Sequence, residues 1–208
     1  MIWPIVLLPL LITASLTASA MQIDADPRVI VSFMDKSLSP EFDILSVATE
    51  ISADNHLVFQ VKTRGERADG EAADHLLLRI LHGKIYVFLI PINKEDGSKV
   101  LMYESALQHD KAVLPQVLET PRGNAPPVAL NAKRIVNGAE FILPLDWVDF
   151  GEDFGFDAYT VKAHLQGNIV EIVKIYDQAG KGRDGNNIFS AVTLLNKLCT
   201  PRRLRSSQ

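Results

Sequence analysis

The chain has 208 residues, 47% of them hydrophobic, one cysteine, and 21 basic against 25 acidic side chains for a formal charge of −4. This near balance excludes a nucleic-acid binder of the usual kind, which concentrates Lys and Arg to displace counterions from phosphate. A single cysteine excludes an intrachain disulfide, and the length suits one domain that builds its own core.

Met1 to Ala20 carries no charged side chain, contains the apolar run Ile5-Val-Leu-Leu-Pro-Leu-Leu-Ile12, and closes on the small-x-small pattern Ala18-Ser19-Ala20. Residues 1–20 therefore read as a cleavable signal segment, and the protein is expected to be secreted or periplasmic. An uncleaved anchor is the alternative, because the first basic residue, Arg28, follows the apolar run. Pro4, Pro9, Thr13, Ser15 and Thr17 make the segment short and polar beside the roughly 20 apolar residues that a span requires, so no stable membrane span is expected after cleavage.

Beyond this segment the dominant period is two, the mark of half-buried strands. Leu45, Val47, Thr49 and Ile51 alternate with Ser46, Ala48 and Glu50, and Leu57, Phe59 and Val61 alternate with Gln60 and Lys62. Ser52-Ala-Asp-Asn55 between them supplies turn residues, which predicts an antiparallel pair. Asp74 to Leu81 places Leu76, Leu78 and Ile80 together, and His82-Gly83 turns the chain into Lys84 to Ile90. That segment is apolar on both faces, with Tyr86 and Phe88 opposite Ile85, Val87 and Leu89, so it is expected to be a central strand covered on both sides. Val100 to Tyr103 resumes extended structure after the polar stretch Asn93 to Gly97.

Residues 105–127 gather Pro115, Pro121, Pro126 and Pro127, which predicts a long irregular connection with at most a short helix over Ala106 to Val113. Strands are then expected over Val128 to Val136, Ala139 to Leu143, Phe156 to Leu165 and Ile169 to Tyr176. Asn137-Gly138 and Gly167-Asn168 read as hairpin turns. Ile188 to Leu198 fits helix and strand equally well. The last ten residues, 199–208, carry Arg202, Arg203 and Arg205 and read as a basic, disordered tail. The organisation is thus a signal segment over 1–20, one domain over 21–198, and the tail. About ten short strands, few helices and one long crossover predict an all-β fold, an antiparallel β-sandwich of jelly-roll-like type.

Two groups of segments bring a family into view. Pro40-Glu-Phe-Asp-Ile-Leu-Ser-Val47 followed by Leu57-Val-Phe-Gln-Val61, and later Ala139-Glu-Phe-Ile-Leu-Pro144, Phe154-Gly-Phe156 and Tyr176-Asp177, resemble the opening and closing patterns of secreted bacterial β-sandwich domains of the DOMON-like or family-9 carbohydrate-binding-module type. The resemblance implies a non-catalytic sandwich that binds sugars or, in some relatives, haem. Those relatives carry an acidic, cation-binding Asp-x-Asp turn after the central strand. Here the equivalent reads Pro91-Ile-Asn-Lys-Glu-Asp-Gly97, a departure from that pattern.

The chemistry-bearing residues are few. Calcium takes about six to eight oxygens from a preformed turn, and Asn93, Glu95 and Asp96 are the candidate ligands, with Asp24 and Asp26 near the start. A polar turn that ends a strand is the plain alternative, and no cofactor is required. Sugar binding rests on aromatic faces beside polar groups. Trp147 remains after cleavage, in Asp146-Trp-Val-Asp-Phe150, so Trp147 with Asp146 and Asp149 is the candidate ligand site, the alternative being that Trp147 plugs the end of the core. Gly180-Lys-Gly-Arg-Asp-Gly185 matches a dinucleotide fingerprint but opens no βαβ unit and reads as a loop. Met34, Met102 and His82 are isolated candidates for haem ligation. The five histidines show no metal spacing, there is no Gly-x-Ser-x-Gly elbow, and a glycosidase would need two carboxylates held at a set distance. The resulting expectation is an exported, non-catalytic module that binds a polysaccharide or envelope glycan. The alternative is a structural or assembly protein of the envelope or matrix that works through protein contacts, and a hydrolase is a third reading.

Overall fold

The computed structural model describes residues 26–66, 73–92, 100–107, 113–120, 130–180 and 188–199. Strands dominate these residues and form two antiparallel sheets packed against each other, as the period-two pattern predicts. The chain passes between the sheets three times.

The smaller sheet holds β1 (Val29–Val31), β2 (Ile44–Ile51), β3 (His56–Thr63), β8 (Asn131–Ile135) and β9 (Gly138–Pro144), in the order β1-β2-β3-β9-β8. Alternation holds in β3, where Leu57, Phe59 and Val61 are buried and Lys62 is exposed. In β2 the register slips between Ile44 and Ser46. Ile44, not Leu45, therefore joins Val47 and Thr49 on the buried face, as a β-bulge requires. The hairpin signal around Asn137 is real but displaced by one residue: Ile135 pairs with Gly138, so Val136 and Asn137 form the turn. Gly138 has φ 126°, and a Cβ there would stand 1.9 Å from the Val61 carbonyl oxygen, so only glycine lets β9 approach β3 this closely.

The larger sheet holds β4 (Asp74–His82), β5 (Lys84–Pro91), β6 (Leu101–Ser105), β7 (Val117–Glu119), β10 (Asp153–Gln166), β11 (Ile169–Gln178) and β12 (Ile188–Ser190). Its order is β11-β7-β6-β5-β4-β10-β12, and β11 also pairs with β10. Six of its strands therefore close into a ring. The 14-residue β10 makes closure possible, because Gly155 to Lys162 pairs with β4 while Tyr159 to Gln166 pairs with β11. Two register shifts along the β10–β11 ladder supply the bend. Gly167, at φ 60°, opens the hairpin expected at Gly167-Asn168.

Closure produces two cores with a common wall. Leu76, Leu78 and Ile80 of β4 and Phe88 of β5 point between the sheets, where they meet Phe59 and Phe141. Leu77 and Leu81 of β4 and Ile85, Val87 and Leu89 of β5 point into the ring, where they meet Leu118 and Val170. Lys84 to Ile90, expected to be covered on both faces, is this wall. Each such side chain removed from water contributes about 1.5–3 kcal/mol.

Two expectations need correction. The segment 105–127 is not wholly irregular, since it contains β7; most of the helix expected over Ala106 to Val113 lies outside the described residues. Ile188 to Leu198 is both strand and helix, β12 followed by α1 (Ala191–Cys199), so Cys199 ends the helix rather than starting the tail. Residues 1–20 and 200–208 lie outside the described residues. Among the described residues no helix is long and apolar enough to cross a membrane.

Candidate functional site

The largely apolar interior of the ring holds a buried ion pair. Arg79 occupies an inward position of β4, and Asp157 stands opposite it in register on β10. The guanidinium grips the carboxylate with both forks: Nε donates to Oδ1 at 2.8 Å and Nη2 donates to Oδ2. Nη1 donates to the Val113 carbonyl at 2.8 Å, and the guanidinium lies 5.4 Å from the Tyr159 ring centroid. The Tyr159 hydroxyl donates to Asp157 Oδ2 at 2.9 Å and accepts from Gln178 Nε2 at 3.2 Å. Bidentate pairing is what makes a charge this deep tolerable, since a buried ion without its partner is strongly destabilising. Burial, reinforced by the Asp157 carboxylate, pushes the Tyr159 phenol far above its ordinary value.

A proline opens a groove beside this network. Val117 to Glu119 of β7 ladder with Ile169 to Glu171 of β11, and one further bond runs from the Ile172 N–H to the Gln116 carbonyl at 2.7 Å. Pro115 has no N–H to continue the ladder. Upstream of it the chain turns inward, where the Val113 carbonyl meets Arg79. Between Val113–Gln116 and the second half of β11 lies an open groove of about 690 Å³, with Tyr159 at its floor. Ile172, Ile175 and Gln178 stand opposite Ala163, Val161 and Tyr159 on β10, so they face the inner side of the ring. Val113, Val173 and Ile175 are each about half exposed, at 51%, 50% and 47%. Lys174 is the one charged residue lining the groove among those described, and its Nζ lies 4.8 Å from the Tyr176 ring centroid. A second hollow, between Glu41, Ile92 and Arg134, measures only about 60 Å³.

The residues singled out from sequence sit elsewhere. Trp147 closes a 3-10 turn, Leu145–Trp147, and is half-buried. Its ring meets Tyr86, His82 and Phe88 edge-on, with centroids at 5.0, 5.5 and 6.4 Å. Asp146 and Asp149 are exposed on either side of it, and Asp149 Oδ1 accepts the Gly151 N–H at 2.8 Å. The structure thus brings these three together on one turn, away from the groove. His82 is buried with both ring nitrogens engaged: Nε2 accepts the Asp149 N–H at 2.8 Å, and Nδ1 lies 3.2 Å from the Asp153 carbonyl. That leaves it no lone pair for haem iron. Met102 is buried and Met34 exposed. Asn93, Glu95, Asp96 and Asp24 lie outside the described residues, and the Asp26 carboxylate holds Arg28 at 2.7 Å. Among the described residues no group of three or more His, Cys, Asp or Glu is placed to hold a metal.

Sequence reasoning missed Arg79, Asp157, Tyr159 and Gln178. One signal was available: Arg79 interrupts Leu76-Leu-Leu-Arg-Ile-Leu81, and a charge within a continuous apolar run of a central strand requires a buried partner. Compared with known protein families, curated proteins and solved structures, the chain matches none.

Proposed function

We propose that the protein is an exported, non-catalytic binding module and that its ligand sits in the groove beside the ring. The groove itself carries this reading. At about 690 Å³ it falls in the size range of ligand clefts, and its described lining mixes aliphatic Val113, Pro115, Ile172 and Ile175 with polar Gln116, Lys174 and Gln178. The hydrogen-bond network behind the groove speaks for binding over catalysis. Arg79 is committed to Asp157 and Val113, and the Tyr159 phenol is held as a neutral donor. The test is to screen the full chain against glycans and peptides and to map the amides each hit protects. Protection over residues 113–116 and 172–178, with binding lost in Ile175→Lys, supports the groove. Protection elsewhere overturns it.

A second reading places an envelope glycan at Trp147. It rests on the exposed carboxylates of Asp146 and Asp149 beside that ring and on the resemblance to sugar-binding sandwiches. Glycan-array binding lost in Asp146→Asn or Asp149→Asn, variants that leave the ring packing intact, supports it. Binding unchanged in both removes it.

A further inference from the structure

The half of β11 that borders the groove has a second property. Its inner edge is laddered to β10 through Gln178 across two register shifts, whereas its pairing with β7 ends at Glu171. Among the described residues no strand is laddered to the outer edge of Val173 to Ile175, and all three side chains are exposed. Such a strand edge presents main-chain donors and acceptors along roughly 10 Å, bent by the register shifts at Val173 and Tyr176, a template for another strand.

Resting on the reading that the groove is the ligand seat, we infer that its occupant is an extended polypeptide segment of another protein, added as a strand to the open edge of β11. Three observations select this partner. Only an extended backbone repeats donors and acceptors at the spacing of a strand edge. The described lining offers aliphatic contacts at Val113, Pro115, Ile172 and Ile175, while its one described aromatic, Tyr159, is 1% exposed and offers no face for a sugar ring. Lys174 is the lone charge on the lining among the described residues, so the segment carries apolar side chains at alternate positions and a carboxylate between them.

The full chain is panned against a displayed library of random peptides of about ten residues. Enrichment of alternating apolar sequences with one acidic residue is expected. A synthetic copy of an enriched peptide then slows hydrogen exchange at Val173, Lys174 and Ile175. N-methylation of alternate peptide nitrogens weakens binding about tenfold or more, and Lys174→Glu weakens it about fivefold, restored when the peptide's acid is changed to lysine. No enrichment, or an N-methylated peptide that binds as well as its parent, overturns strand addition. A glycan or an N-methylated peptide that protects residues 113–116 and 172–178 leaves the groove standing as the ligand seat while removing this partner. Concentration-dependent dimers that protect Val173 to Ile175 without peptide overturn it in favour of a second copy of the chain.

Discussion

Arg79 and Asp157 face one another across the β4–β10 ladder and hold each other through two parallel hydrogen bonds inside the ring. With side chains only 3% and 13% exposed, neither charge has water to fall back on when its partner is removed.

That pairing makes asymmetry the first expectation. Asp157→Asn or Arg79→Met alone leaves one buried charge uncompensated and lowers stability by about 3–5 kcal/mol in urea unfolding. The double variant Arg79→Met with Asp157→Leu regains most of the loss, because two apolar groups replace two ions. Single variants with unchanged midpoints contradict the account.

The tyrosines govern the alkaline limb. Burial raises Tyr159, Tyr86 and Tyr103, with the Asp157 carboxylate adding to the effect at Tyr159. A phenol whose folded value is raised lends stability that is complete below its unfolded value, about pH 10, and is lost as pH rises beyond it. Denaturant midpoints therefore fall above about pH 10, and Tyr159→Phe makes that fall shallower.

Glu140 governs a smaller acid effect. The hydrogen bond from Lys133 Nζ, at 2.7 Å, holds its carboxyl below the ordinary value of 4.5, and a second from Gln60 at 2.9 Å adds to this. Its contribution is present above that ordinary value and disappears as pH falls through the lower folded one. Glu140→Gln is expected to lower stability by about 0.5–1 kcal/mol at neutral pH, a difference that closes once the wild-type carboxyl is protonated. A gap that persists at low pH assigns the loss to packing instead.

Gly138→Ala is the harshest single-methyl test in the smaller sheet. The added Cβ meets the Val61 carbonyl oxygen at 1.9 Å on a backbone with φ 126°, so β9 must draw back from β3. A loss of about 3 kcal/mol or more is expected in thermal or urea unfolding. Gly167→Ala has open space around its Cβ and meets only the backbone term, so it loses about 1–2 kcal/mol.

How far the sequence reaches depends on what each element asks of its neighbours. Strand identity is local, and β3, β5 and β11 are readable from alternation or from runs of Ile and Val. The two-faced pattern of Lys84 to Ile90 even announces a strand with a core on each side. Closure of the larger sheet is not local. It depends on β11 meeting β7, a three-residue strand in a proline-rich stretch whose pairing is set by partners some fifty positions away. The groove is hidden for the same reason. Pro115 reads as a loop residue until the strand that it fails to pair with is known. The bulge at Leu45 and the one-residue shift of the Val136-Asn137 turn are register effects, decided by tertiary fit.

The strands β4 and β5 serve as a party wall between two rooms. A void opened on one side, by Val87→Ala, draws backbone that also braces Leu78 and Phe88 on the other. Neither compartment can melt while its twin stays solid, so heat should dissolve both in a single calorimetric peak, and damage in either room weakens the whole house.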